Sequence, residues 1–92
     1  MLKPRYSRQF KKDIKKIEKS GDKDIEKLKS VMQKLVDGEW LESKYLDHPL
    51  AGNMKGHRDC HIEPDWILLY RTDKDLQEIT FVRTGSHSDL FG

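Results

Sequence analysis

A short apolar run, from Trp66 to Tyr70, places the strongest constraint on how this chain folds. Residues 66–71 are almost all apolar, which is typical of a strand in the middle of a sheet. The flanking segments 58–63 and 76–84 read as half-buried strands, since polar and apolar side chains alternate in them. Polar turns separate the three segments, so the sequence predicts three consecutive antiparallel strands with 66–71 at the centre.

Two amphipathic helices precede these strands. In the first, apolar residues recur at helical spacing from Phe10 to Ile17, which predicts a helix over 8–20. Ser7 is a suitable N-cap for this helix, and Gly21 is a suitable C-terminal stop.

A second helix begins at Asp22 or Asp24 and ends at Gly38, with a buried apolar stripe in between. Residues 2–6 could form a short strand at an edge of the sheet, because the proline in it cannot donate a ladder hydrogen bond. Residues 39–57 contain glycine and proline breakers and are predicted to be irregular. The sequence therefore predicts an α+β fold, with two N-terminal helices packed on one face of a small antiparallel β-sheet.

The chain is short enough to be a single domain, residues 1–92. Charged residues make up 37% of it and hydrophobic residues 35%, so the core is small and a partner could complete it. The single cysteine, Cys60, excludes an intramolecular disulfide and fits a reducing compartment. Because neither a signal peptide nor a membrane-spanning run is present in the sequence, we expect a cytoplasmic protein with no membrane contact.

Positive charge is concentrated at the N-terminus. The net charge is only +2, yet residues 1–20 carry eight Lys or Arg against two acidic residues. Lys11, Lys12 and Lys15 are candidate contacts for the phosphates of a polyanion, although a solvated helix face explains them equally well. The helical pair also has the outline of a DNA-binding helix-turn-helix, but its second helix lacks the basic face that a groove requires.

The segment "GHRDCHIEPDW", residues 56–66, concentrates titratable side chains. Because strand side chains alternate, Asp59, His61 and Glu63 share one face, and the residues between them share the other. The apolar side should meet the helices, so the acid–histidine–acid row is expected to face away from them, toward solvent or a ligand. An aspartate beside a histidine orients the imidazole for catalysis, and the same arrangement is common as an inert surface pair.

The end of the last predicted strand adds Arg83 and His87, since antiparallel pairing can bring that end back toward the row. Arg83 falls on the same alternation phase as the core residues Ile79 and Phe81, so it either sits at the rim of the core or follows a bulge. Histidines, an arginine and aspartates around one sheet face meet the needs of RNA cleavage. These are a base for the 2′-hydroxyl, an acid for the leaving 5′-oxygen and a cation for the phosphate.

A metal site is the alternative for the same residues, because histidines and carboxylates also bind zinc. The sequence has no H-x-x-x-H or C-x-x-C spacing, and Cys60 is predicted to point to the opposite face from His61. Glycine-rich phosphate-loop motifs are absent as well. We therefore expect neither a metal nor an organic cofactor.

Three motifs together resemble one protein family. They are D-H-x-L at 47–50, R-D-x-H-I-x-P-D-W at 58–66 and R-x-G-x-H-x-x-L-F at 83–91, joined by an L-x-G-x-x-x-G-x-R turn at 50–58. The combination is similar to the YafQ branch of the RelE/ParE superfamily, the toxins of type II toxin–antitoxin pairs. The resemblance covers nearly all of the chain and implies a RelE-like fold.

The resemblance implies a ribosome-dependent mRNA endonuclease that enters the decoding A site and cuts without a catalytic metal. The family's catalytic positions match His48, Asp59, His61, Asp65, Arg83 and His87. Among these, His87 would be the general acid, and Arg83 would stabilise the phosphate. His61, alone or with His48 or Asp65, would assist deprotonation of the 2′-hydroxyl.

The resemblance also implies substrate contacts. Trp66 and Phe91 match substrate-binding positions, and Phe91 would stack on or orient a base of the RNA. The basic first helix, with Lys11, Lys12 and Lys15, would contact phosphates of ribosomal RNA.

A ParE-like toxin that binds DNA gyrase without enzymatic activity is the alternative on the same fold. Such a protein does not need the set of His61, Arg83 and His87, so their presence favours the enzyme. The resemblance implies a cognate antitoxin of the DinJ/RelB type, whose C-terminal segment covers or distorts the site. Operator DNA is expected to bind only through the complex with that antitoxin.

Overall fold

The computed structural model describes residues 1–92 and contains three helices and five strands. The helices are α1 (Arg8–Ser20), α2 (Ile25–Val36) and α3 (His87–Phe91). The strands are β1 (Lys3–Tyr6), β2 (His48–Pro49), β3 (Arg58–Glu63), β4 (Trp66–Asp73) and β5 (Glu78–Gly85). All five strands form one sheet in the order β1-β5-β4-β3-β2, which confirms the α+β class. None of the helices has the length and apolar character needed to cross a membrane.

The sheet is antiparallel except at one edge. The pairs β5–β4, β4–β3 and β3–β2 are antiparallel, whereas β1 runs parallel to β5, with Tyr6 beside Phe81. Most of the chain separates β1 from β5, which provides the long crossover that a parallel pair requires. The strand predicted over 76–84 begins only at Glu78, because Gln77 takes a left-handed conformation (φ 54°) at the end of the preceding turn.

Both predicted ends of α1 are confirmed. Ser7 Oγ accepts a hydrogen bond from the Phe10 amide at 2.9 Å, and the Gly21 amide donates to the Ile17 carbonyl at 3.2 Å. Ser7 Oγ also donates to the carbonyl of Val82 on β5 at 2.6 Å. The cap therefore joins α1 to the end of β5, next to the residues described below.

The main core lies between the two long helices and one face of the sheet. Leu28 of α2 and both Trp66 and Phe81 of the sheet are almost completely buried in it. The alternation predicted for β3 is confirmed on this side, since Cys60 and Ile62 belong to the same cluster. Burying a large apolar side chain contributes roughly 1.5–3 kcal/mol, so this cluster is the principal source of stability.

The segment 39–57 is more regular than predicted. His48–Pro49 forms β2 alongside β3, and a short 3₁₀ turn lies on each side of it. Asp47 anchors the segment, because its Oδ1 accepts hydrogen bonds from the Tyr70 hydroxyl at 2.7 Å and from Arg58 Nε at 3.2 Å. Glycine and proline mark the breaks in this segment correctly, but a two-residue strand is too short to give a sequence pattern.

Candidate active site

The register of the sheet brings the ends of β3 and β5 to opposite sides of Ile67. Ile67 pairs with His61 on one side and with Gly85 on the other. Its side chain is buried on the sheet face opposite the main core, because its neighbours in β4 point into that core. His87 follows Gly85 by two residues, and its ring centroid lies 5.3 Å from that of His61. Two histidines far apart in the sequence therefore form one pair.

The chain after Gly85 forms a helix, α3, which was not predicted from the sequence. Ser86 caps it, since Ser86 Oγ accepts from the Asp89 amide and Asp89 Oδ2 accepts from the Ser86 amide, both at 3.1 Å. This S-x-x-D pattern is a capping box and could have revealed the helix. A Cβ atom at position 85 would lie 3.1 Å from the Asp89 carboxylate, so glycine leaves room for the cap. The helix holds His87 in its first turn.

Asp65 fixes His87 through two hydrogen bonds. Its Oδ1 accepts from the His87 amide at 3.0 Å and from His87 Nδ1 at 2.9 Å. These two bonds lower the pKa of the Asp65 carboxyl. Because a carboxylate only accepts, Nδ1 carries the proton of this bond, and Nε2 forms no hydrogen bond within the protein. Nε2 is therefore the ring nitrogen of His87 that remains free.

His61 is oriented in the same way by a backbone group. Its Nδ1 lies 3.2 Å from the carbonyl oxygen of Pro64, which can only accept, so Nδ1 donates and Nε2 remains open. The supporting group is a neutral carbonyl for His61 and a carboxylate for His87. Both rings are therefore held with Nε2 free, one by a charged group and the other by a neutral one.

The pairing of Asp65 with His87 predicts a measurable titration. We expect the Asp65 carboxyl to titrate below its ordinary pKa of about 3.9, and to move upward in a His87→Ala chain, which keeps only the bond from the backbone amide. Because the folded pKa is the lower one, this contact stabilises the fold above about pH 3.9 and is lost as the pH falls through the folded pKa. Carbon-13 NMR of the side-chain carboxyl measures both chains. The same midpoint in both would contradict the pairing.

Phe91 lies one helical turn after His87, with ring centroids 6.4 Å apart. The residue is 48% exposed, so core packing does not account for its position. An exposed aromatic ring beside an acid–base pair offers a surface on which a nucleobase can stack.

His48 and Asp59 form a second pair, next to His61 along β3. His48 Nε2 lies 3.1 Å from Asp59 Oδ1, but the two groups are not aligned for a hydrogen bond, and Asp59 Oδ1 has no hydrogen-bond partner. His48 Nδ1 donates to the Leu46 carbonyl at 2.6 Å. Asp59 is not part of the main core, as predicted for this row, but it is only 4% exposed because His48 of β2 lies against it.

Glu63 also departs from the predicted row. The pairing of β3 with β4 shifts between His61 and Glu63, which breaks the strict alternation. Glu63 Oε2 then accepts a hydrogen bond from Lys27 of α2 at 3.0 Å. The prediction that the whole row points away from the helices is therefore wrong at its last member.

Arg83 follows a bulge, which was one of the two predicted alternatives. The pairing of β5 with β4 skips Val82, so Arg83 leaves the core alternation. Its Nε and Nη2 donate to the carboxylate of Asp13 on α1 at 3.1 and 3.2 Å, and these bonds raise the pKa of Arg83. Asp13 is only 7% exposed and also accepts from the Thr84 amide at 3.1 Å. Asp13 was not among the predicted site residues, although an acidic residue within the apolar face of a helix is a signal of a buried carboxylate.

The structure contradicts a direct substrate contact for Trp66. The residue is 1% exposed and belongs to the main core. Its Nε1 donates to Thr84 Oγ1 at 2.9 Å, and that hydroxyl donates to the Ile67 carbonyl at 2.9 Å. Trp66 therefore supports the site indirectly, because its hydrogen bond joins the start of β4 to the end of β5.

The predicted phosphate contacts on α1 are all exposed: Lys11, Lys12 and Lys15. No hydrogen bond or ion pair connects them to the histidine pair. Lys16 and Lys23 lie closer to α3, because they line the same pocket as Asp89. Hydrogen bonds from Ser86 lower the pKa of the Asp89 carboxyl, and the charges of these two lysines lower it further. Positive charge thus reaches the site from the end of α1 and the loop after it.

These features define a small α+β protein with a pair of oriented histidines at one end of its sheet. The family model described as the bacterial toxin of type II toxin–antitoxin system, YafQ, matches residues 2–92. The chain therefore belongs to the YafQ family of toxins, which confirms the resemblance drawn from its motifs.

Individual relatives are similar over the same length. The mRNA interferase toxin YafQ of Escherichia coli K12 is 51% identical over 89 residues, which cover 95% of this chain and 92% of the relative. YafQ in the crystal structure of the E. coli DinJ–YafQ complex has 44% identity, complete coverage of both chains and a TM-score of 0.90. A metal-bound toxin from Helicobacter pylori has 41% identity, coverage of 99% and 100%, and a TM-score of 0.89.

Proposed function

We propose that this protein is the toxin of a type II toxin–antitoxin pair and acts as an mRNA interferase, a ribosome-dependent endoribonuclease. The observation that carries the proposal is the pair of His61 and His87, whose ring centroids are 5.3 Å apart. Each ring has its Nδ1 engaged by the protein and its Nε2 open. The name of the E. coli relative, mRNA interferase toxin YafQ, supports the same activity.

In the proposed reaction, the 2′-oxygen of the RNA attacks the adjacent phosphorus while Nε2 of His61 takes the hydroxyl proton. The bond between phosphorus and the 5′-oxygen breaks, and His87 Nε2 delivers its proton to that oxygen. The products are a 2′,3′-cyclic phosphate and a 5′-hydroxyl end. His61 gains one proton in this step and His87 loses one. General acid–base groups contribute about 10²–10⁴-fold each.

Arg83 is the proposed cation for the phosphate. A guanidinium carries five N–H donors, and the two hydrogen bonds to Asp13 leave the others for phosphate oxygens. Asp13 fixes the plane of the group, so no side-chain ordering is needed when charge develops in the transition state. Asp65 orients the acid, and we assign His48 and Asp59 an electrostatic role beside the base.

RNA contacts outside the reacting bond are proposed for Phe91, by stacking, and for the lysines of α1. Lys11, Lys12 and Lys15 are exposed and available for ribosomal RNA phosphates. Lys16 and Lys23 approach α3 and suit phosphates nearer to the cut. Counterion release from such contacts makes binding strongly dependent on salt.

The proposed partner is a DinJ/RelB-like antitoxin, supported by the structure of E. coli YafQ with DinJ. In the cytoplasm, this antitoxin would bind the toxin and inhibit it. Operator DNA would bind only to the complex of the two proteins. Ribosome and mRNA are the proposed targets of the free toxin.

The proposal is tested with purified protein and a defined mRNA, with and without ribosomes. We expect cleavage only of ribosome-bound mRNA, with 5′-hydroxyl ends that a polynucleotide kinase can label. Cleavage of free mRNA at the same rate would contradict ribosome dependence. No cleavage in either sample, together with inhibition of purified DNA gyrase, would favour the ParE-like alternative.

A further inference from the structure

A cleft of about 490 Å³ lies beside His61, between α2, the turn at Ser43–Tyr45 and the outer edge of β3. β2 pairs only with Arg58 and Asp59, so the rest of β3 has no strand beyond it, and the cleft occupies this open edge. The volume is within the range of about 300–1,000 Å³ that is typical of small-molecule sites. Apart from His61 and the Pro64 carbonyl that orients it, the acid–base chemistry proposed above uses no residue of the cleft.

The cleft is continuous with the candidate active site, because His61 belongs to both. Pro64, whose carbonyl orients His61, also lines the cleft. An RNA strand whose 2′-hydroxyl meets His61 Nε2 must continue away from the histidine pair in both directions. On the His61 side it meets the cleft, whereas on the His87 side it meets Phe91.

The walls of the cleft suit a nucleotide. Tyr45 and Leu46 provide apolar surface, and Lys44 Nζ lies 5.2 Å from the centre of the Tyr45 ring. Lys27 is a second cation in the cleft. It forms an ion pair with Glu63, and the side chains of both residues are exposed to solvent. An exposed pair of this kind contributes little and can exchange for a phosphate. Apolar surface for a base beside ammonium groups for the backbone is the combination that single-stranded RNA requires.

The turn that lines the cleft is also tied to the site. Leu46 has a left-handed backbone (φ 50°), which is costly for a residue with a branched side chain and persists only where the surroundings hold it. Its carbonyl accepts the hydrogen bond from His48, while its side chain remains 58% exposed at the cleft. The backbone conformation thus joins the wall of the cleft to the residues beside His61.

We infer that this cleft binds the nucleotide immediately 5′ of the cleaved bond, which carries the attacking 2′-hydroxyl. The inference rests on the proposed function, because its polarity follows from His61 as the base and His87 as the acid. The base of this nucleotide packs against the apolar wall, and the preceding phosphate faces Lys44. The cleft therefore sets the preference for the base before the cut, and Phe91 contacts the base after it.

A Ser30→Trp substitution tests this assignment. Ser30 is an exposed residue of α2 that lines the cleft, so an indole there takes up space in the cleft while both histidines and every core side chain are kept. Serine and tryptophan have similar helix propensities. The matched control is Glu26→Trp, an exposed position on the same helix that does not line the cleft.

The measurement is kcat/KM on ribosome-bound mRNA, with every cut site sequenced. We expect Ser30→Trp to lower kcat/KM about 5- to 100-fold, the loss of one stacked nucleotide, and to change the base preference immediately 5′ of the cut. The preference 3′ of the cut should stay the same, and Glu26→Trp should match the wild type. If circular dichroism shows that Ser30→Trp does not fold, Lys44→Glu is used instead, with the same expected direction.

The outcomes separate this inference from the proposed function. A wild-type rate and cut-site spectrum for the cleft variant, with the wild type active, would overturn the inference alone. Absence of cleavage by the wild type would overturn the proposed function. Unchanged cleavage with weakened binding of the purified antitoxin would assign the cleft to the protein partner, and would overturn the inference as well.

Discussion

Replacement of His87 by alanine is expected to lower kcat/KM for ribosome-bound mRNA by about 10²–10⁴-fold. The reason is local, since the variant removes the only imidazole held by Asp65 and therefore the proton donor for the leaving 5′-oxygen. His61→Ala should have an effect of similar size. The double variant should fall little below either single one, because the two groups act as a unit in one step.

His57→Ala is the matched control for these variants. His57 is also a histidine near β3, but it lies before the strand and forms no contact with the histidine pair. We expect it to retain wild-type kcat/KM. A His87→Ala chain that folds normally and keeps wild-type activity would rule out His87 as the general acid.

Replacement of Trp66 by alanine is expected to lower the free energy of unfolding by about 3–5 kcal/mol. Trp66 is almost fully buried, so alanine leaves a cavity in the main core and also removes the hydrogen bond to Thr84. A domain of this size has a total stability of roughly 5–14 kcal/mol, so the variant should be only marginally folded. Urea denaturation followed by circular dichroism measures the change.

Trp66→Phe separates stability from substrate binding. It keeps most of the buried volume and loses one buried hydrogen bond, at a cost of about 1 kcal/mol. If Trp66 is structural, the folded fraction of this variant should cleave with the wild-type KM. A rise in KM without loss of stability would instead restore the substrate contact that the motif match implied.

The elements with strong local signals were predictable from the sequence. The caps at Ser7 and Gly21 define α1 to the residue, because each cap is a side-chain or backbone feature of one residue type. The limits of β3 over 58–63 were also predicted correctly, since glycine and proline flank an alternating segment.

Features that depend on tertiary pairing were not predictable in the same way. The burial of Asp59 depends on His48, which reaches it only because a two-residue strand pairs with β3. Alternation allowed Arg83 either at the rim of the core or after a bulge. Only the register of β5 against β4 shows that a bulge precedes it. In contrast, α3 and the buried carboxylate of Asp13 do have local signals in the sequence: a capping box for the helix and an acidic residue on the apolar face of α1 for the carboxylate.

The same dependence on pairing applies to the candidate site. Motif matching identified His61, Asp65 and His87. Strand alternation alone could not place His87 against Asp65, because His87 begins α3 and Asp65 lies in the turn between β3 and β4, so neither is part of a strand. The motifs therefore identify the chemical groups of the site, and the three-dimensional structure identifies the partners that orient them.

The most direct test of the central claim is a map of new mRNA 5′ ends in a bacterial host, within minutes of inducing the wild type or His87→Ala at equal protein levels. The proposed mRNA interferase predicts cuts inside translated codons with the wild type and none with the variant. Equal growth arrest from both proteins without new mRNA ends would contradict the nuclease and favour a toxin of the gyrase-binding type.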